Sequence, residues 1–152
     1  MNMFSAFNIN ASGMTAQRYR MDIISENVAN AQSTRTDDGT PYRRKVVAFA
    51  EKGGNTSFVQ ALNSAFGYTG TGFSGNGVKV TGVYKDYTTE MKMVYDPSHP
   101  DADEDGYVLY PNVNIITEMT NMIDASRAYE ANATAFNASK SMVAQALELG
   151  RS

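Results

Sequence analysis

With 152 residues, no cysteine, no tryptophan and a formal net charge of −3, the chain has room for one ordinary domain, and disulfides, thiolate metal sites and a cysteine nucleophile are excluded. No apolar run approaches the roughly 18 residues of a membrane span, and no basic segment leads into a continuous apolar stretch, so the expectation is a soluble chain without a cleaved signal. The charge is graded, with six basic and four acidic side chains in residues 1–45 against one and eight in 96–130, which makes nucleic acid a poor partner and allows head-to-tail attraction between subunits.

Residues 3–32 read as an amphipathic helix. Phe7, Met14, Met21 and Val28 recur every seven residues, and Ile24 belongs to the second, half-polar set of seam positions. Such a stripe must be buried against another helix, in the same chain or a neighbour. Ser12 and Gly13 weaken the early part, so the first dozen residues are expected to be frayed or separately oriented until a partner orders them. Asp37, Asp38, Gly39 and Pro41 supply turn chemistry, after which Val46, Val47 and Phe49 form a β-prone run. A short helix is expected over 57–66 through Phe58, Leu62 and Phe66, then a flexible Gly-, Thr- and Ser-rich loop over 67–77. Further strands are expected at 78–83, 91–95 and 107–110.

Pro111 followed by Asn112 and Asn114 is a helix start, because either Asn can cap free backbone N–H groups. Neither Pro nor Gly then occurs until Gly150, which implies about 35 residues and a length of roughly 50 Å, too long for a compact domain of this size. Its seven-residue repeat runs Met122, Tyr129, Phe136 and Val143, with Met119, Ser126, Ala133 and Leu147 beside it. The expected fold is α+β. Residues 1–34 together with 111–152 form a coiled-coil-like pair of long helices, and residues 35–110 form a small β-rich domain with long loops inserted between them.

Chemistry-bearing motifs are few. Asp101, Asp103, Asp105 and Gly106 match the opening of an EF-hand loop, but the twelfth position is Asn112 and prolines 97, 100 and 111 interrupt the flanking helices. A calcium-responsive helical binding module is therefore the alternative reading, and a solvated acidic turn the simpler one. His99 is the only histidine and has no sequence partner for a triad or a two-His metal site. A hydrolase built on it would have no evident substrate. Gly70, Gly72, Gly75 and Gly77 precede no Gly-Lys-Ser or Gly-Lys-Thr, which removes a phosphate loop. Arg43, Arg44 and Lys45 read either as a solvated turn or as a contact for an acidic surface on another subunit.

Three stretches together resemble the flagellar basal-body rod and hook family, most closely its proximal-rod branch. The first is 12–35, in which Asn27, Ala29 and Asn30 end the signature of the N-terminal helix. The second is 77–84 followed by 94–108, with Asp96, Pro97, His99, Pro100, Asp103, Gly106 and Tyr107. The third is 111–132, with Pro111, Asn112, Asn114, Arg127, Glu130 and Asn132. Glu26 stands where the family often has Asn or Ser, and 87–90 replaces a proline-containing run. The resemblance implies that the terminal helices pair as the innermost domain of a tube, the C-terminal helix facing an export channel. It implies subunits that reach the periplasm unfolded through the flagellar type III export apparatus. Such subunits assemble with other proximal- and distal-rod proteins and a rotor-base adaptor, without cofactor, small-molecule substrate or enzymatic activity. Phe7, Met14, Met21, Ile24, Val28, Met119, Met122, Ser126, Tyr129, Ala133, Phe136, Val143 and Leu147 are the expected packing residues of such a subunit.

Overall fold

A computed structural model of the chain describes residues 3–53, 62, 65–66 and 76–150. The short helix expected over 57–66, apart from Leu62, Ala65 and Phe66, and the Gly-rich loop expected over 67–77, apart from its last two residues, lie outside the described residues. The elements in chain order are α1 (Met3–Ala29), β1 (Lys45–Glu51), β2 (Val78–Lys85), β3 (Lys92–Tyr95), β4 (Tyr107–Tyr110) and α2 (Ile115–Leu149). Two helices with small antiparallel sheets between them make this an α+β chain.

α1 is a single uninterrupted helix, so the weak point expected at Ser12 and Gly13 does not break it. The reason is tertiary. Ser12 Oγ donates to Ile9 O at 2.7 Å and accepts from the Val78 N–H at 3.1 Å. Gly13 lies where a Cβ would come within 2.7 Å of Asn132 Oδ1, so the missing side chain is the space into which α2 packs. The helix stops at Ala29, short of the expected 32. Ala31 N–H bonds back to Val28 O, and the Asn30 side chain both donates to Glu26 O and accepts from Ser33 Oγ, which tightens the chain into a turn.

α2 begins one residue after Asn114, whose side chain accepts from the N–H groups of Ile116 and Thr117. Of the two candidate caps it is therefore Asn114 that serves, and Asn112 has a different role. The helices run antiparallel: Phe7 meets Phe136 edge to face at 5.0 Å, Gly13 meets Asn132, and Asn27 meets Glu118. Each step along α1 is thus matched by one back along α2. Toward the C-terminal end of α2, Met142 and Leu147 stand exposed.

β1 and β2 form one two-stranded antiparallel sheet, a ribbon with an irregularity between Ala48 and Phe49. β3 and β4 form a second, separate hairpin. The ribbon lies along α1, fastened near Asn27 through Lys45 and near Ser12 through Val78. Fifteen helical residues rise about 22 Å and six strand steps about 20 Å, so the two fasteners match in span. Gly77, at φ +87°, carries the chain into β2, and a Cβ there would fall 2.2 Å from Ser12 Oγ. That position admits only glycine. The β3–β4 hairpin packs on no other helix or strand of the described residues; its inward Val108 is buried, and the loop carrying Thr34, Arg35 and Pro41 borders it.

Candidate assembly surface

At the junction of helices and sheets the interior is polar. Asn27 has no exposed surface, and its amide makes its full set of bonds: Nδ2 donates to Lys45 O at 2.8 Å and to Glu118 Oε2 at 2.9 Å, while Oδ1 accepts from Tyr42 Oη at 2.9 Å and from Lys45 N–H at 2.8 Å. Glu118, 1% exposed, accepts on Oε1 from Arg44 Nε at 2.9 Å and Nη2 at 2.8 Å. Arg44 also faces Asp86 at 3.7 Å. A buried carboxylate is tolerated because the guanidinium and the Asn27 amide replace the water it has lost. Lys45 pairs with Glu26 beside this network.

Asn112 completes the junction. Its Oδ1 accepts from Arg44 N–H at 2.8 Å, and its Nδ2 donates to Asp86 O at 2.9 Å and Thr89 O at 3.1 Å. One side chain thereby ties together the approach to β1, the β2–β3 loop and the approach to α2. Burial pushes the Tyr42 hydroxyl up to about 12, with the charges of Glu26 and Glu118 adding to the effect. Hydrogen bonds from Thr88 and Thr89 hold the Asp86 carboxyl well below the usual range. Asp96 is lowered in the same way by Ser98.

The expected packing residues divide by burial. Ile24 is buried; Phe7, Met14, Met21, Val28, Met122, Ser126, Ala133, Phe136 and Val143 are half-buried; Met119, Tyr129 and Leu147 are exposed. The deepest points of the helix pair are instead Ala16, Ile24, Asn27, Glu118 and Ala125. Two of these are alanines, whereas most of the larger heptad residues keep part of their surface outward. Outside the seam, Ile116 (77% exposed), Met119 (58%) and Ile123 (52%) form an apolar stripe on α2. It continues into an open groove of about 410 Å³ lined by Ser25, Val28, Ala29, Met119, Met122 and Ile123.

The motif residues of the second stretch build a turn. Asp103 Oδ1 accepts from the N–H groups of Tyr107 at 2.7 Å and Asp105 at 3.2 Å, and Gly106 at φ +80° sits under Tyr95 and Pro97. Asp101 accepts from Thr34 Oγ1 at 2.8 Å and faces Arg35 at 3.6 Å, while His99 Nδ1 accepts from Asp101 N–H at 3.1 Å. Pro100 borders the cleft beside this turn. Tyr107 stacks edge to face on Tyr95. These bonds assign Asp101 and Asp103 to holding the turn on the 34–35 loop, and no cluster of metal-ligating side chains occurs among the described residues. Nothing in the geometry supports the calcium alternative. Of the third stretch, Pro111 and Asn112 are buried, Asn114 caps α2, Asn132 fills the space over Gly13, and Arg127 and Glu130 are exposed. In the first stretch Ala29 is exposed and Asn30 half-buried.

Glu118, Tyr42 and Asp86 were not legible as partners in the sequence, and Arg44 read only as part of a basic turn. The available signal was Glu118 itself, a lone acid four residues before Met122 on an otherwise apolar stripe.

Residues 7–35 match the family described as flagella basal body rod protein, and residues 104–149 the family described as flagellar basal body rod FlgEFG protein C-terminal. The flagellar basal-body rod protein FlgC of Bacillus subtilis is 45% identical over 99% of this chain and 100% of its own length. FlgC of Borreliella burgdorferi is 45% identical over 98% of each chain, and FlgC of Escherichia coli O157:H7 is 40% identical over 99% and 100%.

Proposed function

The chain belongs to the FlgC family of flagellar basal-body rod proteins, and from that premise we propose how its geometry serves a structural subunit of the bacterial flagellar basal body. The subunit assembles with other rod components. Residues 1–34 and 111–152 act as one helical domain, paired in coiled-coil fashion and contributing to the wall of an axial tube in the proximal rod. Residues 35–110 act as an inserted β-rich domain on that helical core. Torque passes outward through the tube toward the distal rod and hook, export substrates pass along its channel, and the subunit itself arrives through the type III export apparatus without a cleaved signal. No catalytic step is part of this role.

The observation that carries the reading is the apolar stripe of Ile116, Met119 and Ile123 with Met142 and Leu147 toward the end of α2, all exposed in the single chain. Contiguous apolar faces of this kind mark contacts with other proteins. Met119, Tyr129 and Leu147 are proposed to pack against neighbouring subunits, and the half-buried seam residues to serve both helix partners. Electron microscopy of basal bodies from cells lacking this chain is the test. Membrane rings without rods or hooks, restored by the intact gene, support the role; complete rotating flagella in the deletion strain refute it.

A further inference from the structure

The apolar repeats leave the alignment of α1 against α2 undetermined. Phe7, Met14, Met21 and Val28 on one helix and Met122, Tyr129, Phe136 and Val143 on the other recur with the same period of seven. Sliding α2 by one period therefore exchanges one apolar neighbour for another. Phe7, which meets Phe136, would face Tyr129 or Val143 instead. No strand holds α2 in place, because among the described elements it packs on α1 alone. Seven helical residues rise about 10 Å, so the seam by itself accepts alignments that differ widely.

Polar contacts with the same period separate these alignments. Gly13 and Asn27 lie two periods apart on α1, as do Glu118 and Asn132 on α2. Gly13 meets Asn132, and Asn27 meets Glu118. One slip would carry Glu118 past the end of α1 at Ala29, toward residue 34, and strip it of both Asn27 and Arg44. The opposite slip would bring Glu118 to Arg20, which makes no ion pair with a described residue. It would also move Asn132 from Gly13 to Ala6. Ala6 carries the Cβ that at Gly13 would come within 2.7 Å of Asn132 Oδ1. The Asn132 amide is not free to swing aside, because its Nδ2 donates to Ala128 O at 2.8 Å.

We propose that the contact of Glu118 with Asn27 and Arg44, together with the seat of Asn132 over Gly13, sets the register of the helix pair. A buried carboxylate gives little net stability over apolar residues of the same volume, but it is stable only where its partners stand. A polar residue in an apolar seam fixes coiled-coil register in the same way. The register has a consequence for the surface. The groove beside the apolar stripe draws Ser25, Val28 and Ala29 from α1 and Met119, Met122 and Ile123 from α2, so it exists in this alignment alone. That alignment is set within one chain and does not depend on the rod-subunit reading.

The test uses the purified full-length chain, which has no cysteine of its own. Nitroxide labels are attached at Thr15→Cys and Lys140→Cys, both exposed positions, and their separation is measured by double electron–electron resonance. The labelled chain gives one distance. Asn27→Leu with Glu118→Leu keeps the seam apolar and removes the contact, and a second population appears, shifted by up to about 10 Å. Glu118→Gln, whose amide oxygen still accepts from Arg44, keeps the single distance. One unshifted distance in the folded double variant overturns the proposal, as does a shifted population in Glu118→Gln. Circular dichroism shows whether the double variant is folded. If it is not, Asn27→Leu alone leaves the Glu118–Arg44 pair in place and carries the same expectation of a second population, and a single unshifted distance there overturns the proposal.

Discussion

The junction and the outer face of α2 invert the pattern of an ordinary globular domain in opposite ways. At the junction a carboxylate, a guanidinium and two Asn amides are drawn into the interior and bonded to one another. On α2, Ile116, Met119, Ile123, Met142 and Leu147 are left in solvent. The junction is complete within one chain, since every polar group there has its partner. The α2 face is the one that the proposed function gives to another chain. In the proposed role, the junction fixes the approach to the ribbon within one chain and the apolar surface is offered to neighbours.

Glu118→Ala breaks the comparison most severely. It leaves Arg44 and Asn27 without their shared acceptor, and we expect a loss of about 3 kcal/mol in urea denaturation. Asn27→Ala frees the Lys45 N–H and the Tyr42 hydroxyl together and removes about 2 kcal/mol by the same measurement. Tyr42→Phe takes one of two donors from Asn27 Oδ1 and removes about 1 kcal/mol.

The same tyrosine gives the junction a pH dependence. Its hydroxyl ionises near 12 in the folded chain against 10.0 for the free group, so its contribution is fully present below pH 10 and is lost as pH rises toward 12. Ultraviolet titration should show one late-ionising tyrosine that disappears in Tyr42→Phe. Asp86 has the opposite sign. Its lowered value in the folded chain stabilises above the ordinary carboxylate range, and that contribution is lost as pH falls through and below it.

The smallest expected effect on the single chain is on the other side of the comparison. Ile116→Ser and Met119→Ser should shift monomer stability by no more than about 0.5 kcal/mol, because neither side chain is buried there. Both should nonetheless reduce rod formation, scored by electron microscopy. Equal losses in monomer stability and in assembly would erase the distinction between the two regions.

The strands illustrate how far the sequence reaches. Val46, Val47 and Phe49 mark β1, and Val78 and Val80 mark β2, by side-chain type alone. Nothing in those runs says that β1 pairs with β2 and β3 with β4 as two separate sheets. The candidate packing surface was legible in the same partial way. The seven-residue repeats pick out Phe7 and Phe136, which do meet, but pass over the buried Ala16 and Ala125, because a buried alanine looks like any other helix-forming alanine. Asn112 shows the limit most plainly: beside Pro111 it has the local chemistry of a helix cap, yet its amide is used to clamp Arg44, Asp86 and Thr89.

By itself, the sequence determined the two long helices, a cap at Asn112 or Asn114, the β-prone runs, the turn glycine at 106 and the absence of thiol chemistry. These follow from preferences that act within one or two turns of chain. Tertiary structure alone decided that Asn27 would reach Glu118 across 91 positions, that Arg44 would reach the same carboxylate across 74, and that Ser12 would receive the start of β2. A buried polar group is stable only when all its partners arrive together, and their arrival depends on the path of the whole chain rather than on neighbours in sequence.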